Sequence, residues 1–445
     1  MRRIAWVLLT LLIGSSPAWA ATTYYVRSTA ASDVGSCANA QTDSDAMARK
    51  TVKGGMACLS GGDTLIVHAG TYAEGIDGTY NQPSGSSRAP TTIRAATGET
   101  VWMQRPGGCG TCAGIVGNLL SIRSYITYDG INVDNVNITP GNPTTNPSSD
   151  GWKFDSGATR GSTWSDHITI TNSEIKNMAV GILGTCVSCT FSNLRIHDSV
   201  DNTTPNNNGH SGYGTYTCTW NSVFENNEVY NNPGQGLMTY DGTAQTNNDC
   251  GGSNGPNTYR NNYLHDNAGN AFYVCCDTGT KIYNNIIVGA LQGFEARGVG
   301  LLIANNTFYS NTTGILNLGS GHTVENNIFY SNATNINLTS TPTCITNFNV
   351  NNSCATTGNT NPLFQSAGSD FRLTSSSPAR VANSSDFHLT SGSPAINAGM
   401  NLTPIFTTDK DGVSRPSSAA WDAGAFQQKS GPISLLPPQN LRVVP

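Results

Sequence analysis

Apolar residues recur along this chain in short bursts separated by Asn and Gly. The segments Ile170-Thr171-Asn172-Ser173-Glu174-Ile175, Phe191-Ser192-Asn193-Leu194-Arg195-Ile196 and Phe224-Glu225-Asn226-Asn227-Glu228-Val229 share one pattern, an apolar residue two before an Asn and another three after it. The pattern continues at Asn261, Asn284, Asn305, Asn326 and Asn347, the last four standing 21 residues apart. A second strand follows each burst. Its first residues are Gly151, Gly181, Gly214, Gly236, Asn270, Gly293, Gly314 and Asn335, and the next position is mainly apolar, reading Trp152, Ile182, Thr215, Leu237, Ala271, Phe294, Ile315 and Ile336. Strand side chains alternate faces, so that next position points inward and the residues two and four after the first point outward.

Short strands at this period predict parallel coils stacked about 4.8 Å apart, with the repeated Asn bonding along the stack. Here the chain resembles the right-handed parallel β-helix proteins of the pectate-lyase-like superfamily. The resemblance spans residues 22–427 and is most specific over 168–364. It implies an all-β, right-handed, single-stranded parallel β-helix with an N-terminal cap. Thr23-Tyr24-Tyr25-Val26, an acid-started helical stretch over 45–59 and Gly61-Gly62-Asp63-Thr64-Leu65 look like that cap. Ser393-Pro394-Ala395-Ile396-Asn397-Ala398-Gly399, Asp409-Lys410-Asp411-Gly412 and Asp422-Ala423-Gly424-Ala425-Phe426 resemble the closing segment of the same proteins. The expected organisation is a leader over 1–20, cap and first coils over 21–100, β-helix with insertions over 101–365, closing segment over 366–428 and a Pro-rich tail over 429–445.

Composition narrows the reading. Only 11% of residues are charged and 48 are Gly, which does not suit a helical protein, and a formal charge of −5 excludes a basic nucleic-acid binder. Met1-Arg2-Arg3, the apolar run over 4–13 and Pro17-Ala18-Trp19-Ala20 predict export with cleavage near Ala20, and no stretch is apolar enough to span a bilayer. The 12 cysteines fit an oxidising compartment. Nearest-neighbour pairing gives Cys37 with Cys58, Cys109 with Cys112, Cys186 with Cys189 and Cys344 with Cys354, leaving Cys218, Cys250, Cys275 and Cys276 open. Zinc on the two CxxC units is the weaker alternative.

Candidate chemistry lies on the outward positions and the insertions. Lys153, Leu183, Tyr216, Met238, Phe272, Glu295 and Leu316 succeed one another along one face, and insertions over 201–213 and 241–255 flank it. The aromatics there either stack against sugars or form a second small core under the loops. The resemblance implies a polysaccharide in this groove, with Lys153, Tyr216, Met238, Phe272 and Glu295 as binding residues. The leading expectation is a monomeric secreted lyase cleaving a uronate glycan by β-elimination, with His210 or Tyr240 as base and Arg297 pairing the substrate carboxylate. Gly209-His210 resembles the Gly-His-Gly of β-helical polygalacturonases, but their Asp-Asp pair and Arg-x-Lys are absent, as is the Asp-Pro-His of alginate epimerases. Two alternatives stay open. A hydrolase would use Asp241 and Asp277, just past adjacent strands, and those carboxylates with Asp201 and Asp249 are also the candidate calcium ligands. A non-catalytic protein would bind glycan or serve as a rod.

Overall fold

The computed structural model describes residues 21–75, 80–104, 123–134, 150–153, 164–200, 212–239, 255–348, 354, 361–366 and 386–428. A typical coil holds three short strands. One coil runs through Gln292–Ala296, Leu302–Ala304 and Thr307–Tyr309, the next through Thr313–Asn317, Thr323–Glu325 and Ile328–Tyr330. The pairings between them are parallel and in register, setting Phe294 on Ile315, Ile303 on Val324 and Phe308 on Phe329. The Asn-containing burst is therefore two strands and a corner: Val223–Glu225 and Glu228–Tyr230 flank Asn226-Asn227.

The two Asn of each corner do different things. The first, at 226, 261, 284, 305 and 326, takes φ between 52 and 59°, a left-handed conformation that Asn tolerates better than most residues. The second, at 227, 262, 285, 306 and 327, is buried and bonds to its counterpart in the next coil. Asn347 belongs to this second column, because it accepts from Asn327, 20 residues earlier, while Thr346 takes the positive-φ corner. The last 21-residue step of the sequence pattern thus joins two different columns.

Interior columns stack like on like. Phe191 on Phe224, Phe224 on Tyr259, Phe272 on Phe294 and Phe308 on Phe329 have centroids 4.6–4.9 Å apart, the spacing of paired strands. Gly181, the second residue of the strand Val180–Val187, is glycine because a Cβ there would lie 2.4 Å from the Gly214 carbonyl oxygen of the next coil.

At the N-terminal end, Thr23–Val26 pairs in parallel with Thr64–Val67, and the helix Val52–Met56 packs on both strands. The helix is shorter than the predicted stretch, as Gly54-Gly55 within it favours no helix, and Thr51 rather than an acid caps it. Near the other end, residues 386–428 lie along the side of the solenoid. Asn305 Nδ2 donates to the carbonyls of Asp422 and Gly424, Asn326 Nδ2 to that of Met400, and buried Arg415 donates to Asn284 Oδ1.

Cys37–Cys58, Cys186–Cys189 and Cys344–Cys354 are disulfides, and Cys218 is also disulfide-bonded. The bond between Cys186 and Cys189 removes that CxxC unit from the zinc alternative; Cys109 and Cys112 lie outside the described residues. Among the described residues, no helix is long and apolar enough to cross a membrane.

Candidate functional site

One outward row crosses the face that begins each coil. Lys153, Leu183 and Tyr216 are in register, and beyond them Met238, Tyr273, Glu295, Leu316 and Asn337 follow one per coil. Phe272 is not in this row. It pairs with Leu237 and Phe294, is 1% exposed, and packs on the rings of Tyr259 and Phe294. The expected contact of Phe272 with substrate is corrected accordingly: its ring is interior. The register pairs Asn270 with Gln292, so Ala271 and not Asn270 occupies the level of Gly293. A slip of one residue exchanges the faces of a strand, and Tyr273 takes the outward place assigned to Phe272.

Tyr273 belongs to the best-formed polar arrangement of the row. Asn270 Nδ2 donates to Glu295 Oε2 at 2.6 Å, and Arg297 Nε donates to Glu295 Oε1. The Asn270 backbone N–H is itself held by Gln235 Oε1 at 2.7 Å. Glu295 is 5% exposed, whereas the Arg297 side chain is 47% exposed and its guanidinium lies 5.7 Å from the Tyr273 ring centroid. That is cation–π range. Burial pushes the Tyr273 phenol well above its ordinary value, with Arg297 opposing it. Tyr273 therefore stays protonated and suits hydrogen-bond donation or stacking rather than base catalysis.

Tyr216 and Met238 are only 8% and 7% exposed and pack with Val180, Leu183, Tyr213 and Tyr273. For those two side chains the second-small-core reading describes the packing, while the rings of Tyr213 and Tyr273 remain partly exposed. Lys153 has its ammonium 3.6 Å from Asp150 Oδ2, a buried carboxyl that desolvation raises and Lys153 partly restores. Five coil steps separate Lys153 from Glu295, about 24 Å at strand spacing, so the two serve different parts of any bound chain.

Asp277 is placed inside the coil, fully buried. Its carboxylate accepts from Thr239 Oγ1 at 3.1 Å, Asn257 Nδ2 at 3.1 Å and Thr280 Oγ1 at 2.7 Å. Burial pushes it up to about 6, with the three hydrogen bonds opposing. A carboxyl enclosed this way does not reach a glycosidic bond, so the expected groove pair of Asp241 and Asp277 loses a member. His210, Tyr240, Asp201, Asp241 and Asp249 lie outside the described residues. Among the described residues no three His, Cys, Asp or Glu side chains assemble as metal ligands.

No family model and no curated protein sequence matches the chain. Solved structures match its fold. Pectate lyase Pel9A superposes with a TM-score of 0.62 at 17% identity, over 92% of this chain and 98% of that one. The A-module of the Azotobacter vinelandii mannuronan C-5 epimerase AlgE6 gives 0.47 at 15% identity, over 66% of this chain and 88% of its own. A rhamnogalacturonan lyase gives 0.39 at 14%, over 73% and 87%. Together with the parallel pairing of the coils, the likeness to Pel9A establishes the fold as a right-handed parallel β-helix.

Proposed function

We propose that this β-helix is an exported enzyme that binds a uronate-containing polysaccharide along its outward row and cleaves it by β-elimination. The observation that carries the reading is the mounting of Arg297: the buried Glu295 carboxylate, itself held by the Asn270 amide, fixes its Nε on an aromatic neighbour, and among the described residues its two Nη groups are left for a ligand. An Arg fork so fixed matches a carboxylate in two-point geometry. Neutralising the uronate carboxylate acidifies the adjacent C–H and stabilises the enolate-like anion formed when a base takes that proton. The electron pair then forms the C=C bond, the C–O bond at the β carbon breaks, and the departing oxygen takes up a proton.

His210 or Tyr240 is the proposed base, and Tyr273 joins the reading as the sugar platform beside Arg297. Support for a lyase comes from the pectate lyase that shares the fold over nearly its whole length. The disulfides support an oxidising compartment. The test is a turnover assay on acidic and neutral polysaccharides, with and without calcium, reading ultraviolet absorbance and new reducing ends together. Absorbance rising with new ends is the expected result. Ends without absorbance would replace elimination by hydrolysis, and silence on glycans that the protein nonetheless binds would favour the non-catalytic reading.

A further inference from the structure

Adjacent residues of a regular strand point to opposite faces, so neighbouring cysteines within one do not bond to each other. Cys275 and Cys276 sit where the strand breaks. Asn270–Val274 ends just before them, and Cys276 has φ 64°, which interrupts the alternation. Their Sγ atoms stand 2.8 Å apart, close to the disulfide distance of about 2.05 Å. The turn is held from both sides by the coil. The Cys275 N–H donates to the Thr239 carbonyl at 3.2 Å, the Asp277 carbonyl accepts the Val299 N–H at 2.8 Å, and the Asp277 side chain is anchored inside by Thr239, Asn257 and Thr280.

The pair also has a place on the candidate site. Val274 pairs with Ala296, so Cys275 is level with Arg297, one coil away, and both sulfur-bearing residues are partly exposed. Elsewhere among the described residues, Cys37, Cys58, Cys186, Cys189, Cys218, Cys344 and Cys354 are all disulfide-bonded, as expected of a chain matured under oxidising conditions.

We propose that Cys275 and Cys276 are joined to each other as a vicinal disulfide in the mature protein, forming a compact ring on the groove beside Tyr273 and Arg297. The oxidant is a protein disulfide carrier of the exporting compartment. One cysteine thiolate attacks the carrier disulfide and displaces one carrier sulfur; the second thiolate then attacks the resulting mixed disulfide. The S–S bond forms, the carrier leaves as a dithiol, and two electrons and two protons pass from the pair to the carrier. The ring removes two thiols from the surroundings of Arg297 and presents a polarizable sulfur surface in their place.

The sequence supplies a clean test, because trypsin releases residues 261–281, bounded by Arg260 and Lys281, with these two cysteines and no other. The protein is secreted into an oxidising compartment, denatured without reductant, treated with iodoacetamide, digested and weighed. The expected peptide is two hydrogens lighter than the dithiol, carries no alkyl group, and takes two after reduction. Alkylation of both sulfurs without reductant overturns the proposal, as does recovery of this peptide cross-linked to another cysteine peptide.

Discussion

Asn306 donates both its backbone N–H and its side-chain amide to Oδ1 of Asn327 in the next coil, at 2.8 and 3.0 Å. Its own Oδ1 receives the same two donors from Asn285, and its second amide hydrogen goes to the Ile282 carbonyl at 2.9 Å. A buried amide with every donor placed stabilises the corner of each coil, and the column repeats this from Asn227 to Asn347.

Replacing Asn306 with Ala strands the Asn285 donors and the Ile282 carbonyl at once. A loss of about 2–4 kcal/mol is expected, from a penalty of roughly 1–3 kcal/mol per buried unsatisfied group. A lowered denaturant midpoint checks it. An unchanged midpoint would mean that water replaces the ladder at no cost.

The register at Phe272 and Tyr273 predicts opposite phenotypes for neighbours. Phe272→Ala empties an interior column and should cost about 3–5 kcal/mol. Tyr273→Ala should leave the melting temperature within a few degrees and weaken glycan binding. The reverse assignment would restore Phe272 to the groove.

Asp277 makes stability depend on pH. Its folded value of about 6 lies above the ordinary 3.8, so its contribution is full below 3.8 and is lost as pH rises through about 6. A shift of this size corresponds to about 3 kcal/mol. Asp277→Asn should flatten the melting temperature between pH 4 and 8, where the native protein declines. Parallel profiles would show that the carboxyl titrates normally.

His388 acts over a more alkaline window. Burial pulls its imidazole down, but Asp386 at 2.6 Å and Asp411 at 3.0 Å outweigh that and push it up to about 9. Its raised value makes its contribution full below 6.5 and lost as pH rises through about 9. The pair is partly exposed, so a modest effect is expected. His388→Gln should melt below the native protein at pH 6 and converge with it at pH 10, as read by thermal scans.

Arg297→Ala should reduce turnover by about 10²–10³ if the guanidinium stabilises developing charge, with little change in melting temperature. Arg297→Lys should recover only part, lacking the planar fork. Full activity in both variants would remove Arg297 from the mechanism.

Much of the coil was legible because it repeats. Gly293, Phe294 and Glu295 could be assigned faces from spacing, and Arg297 was found on the groove by alternation alone. Asn270 misled because it is a good turn residue standing near the place of a strand-opening Gly. Only the hydrophobic match of Phe272 to Leu237 and Phe294 would have signalled the slip. Asp277 misled for a related reason: an Asp just past a strand reads as a surface turn, and nothing local reveals that Thr239, Asn257 and Thr280 converge on it.

By itself the sequence determined the solenoid, since a periodic alternation of apolar and Asn/Gly positions can bury its apolar faces only by stacking coil on coil. Tertiary structure alone decided that Phe272 rather than Tyr273 enters the core, that the Asp277 carboxyl is enclosed and that the Cys275 and Cys276 sulfurs meet. Those outcomes depend on register between coils of unequal length, where a single residue's shift turns a side chain from solvent to interior.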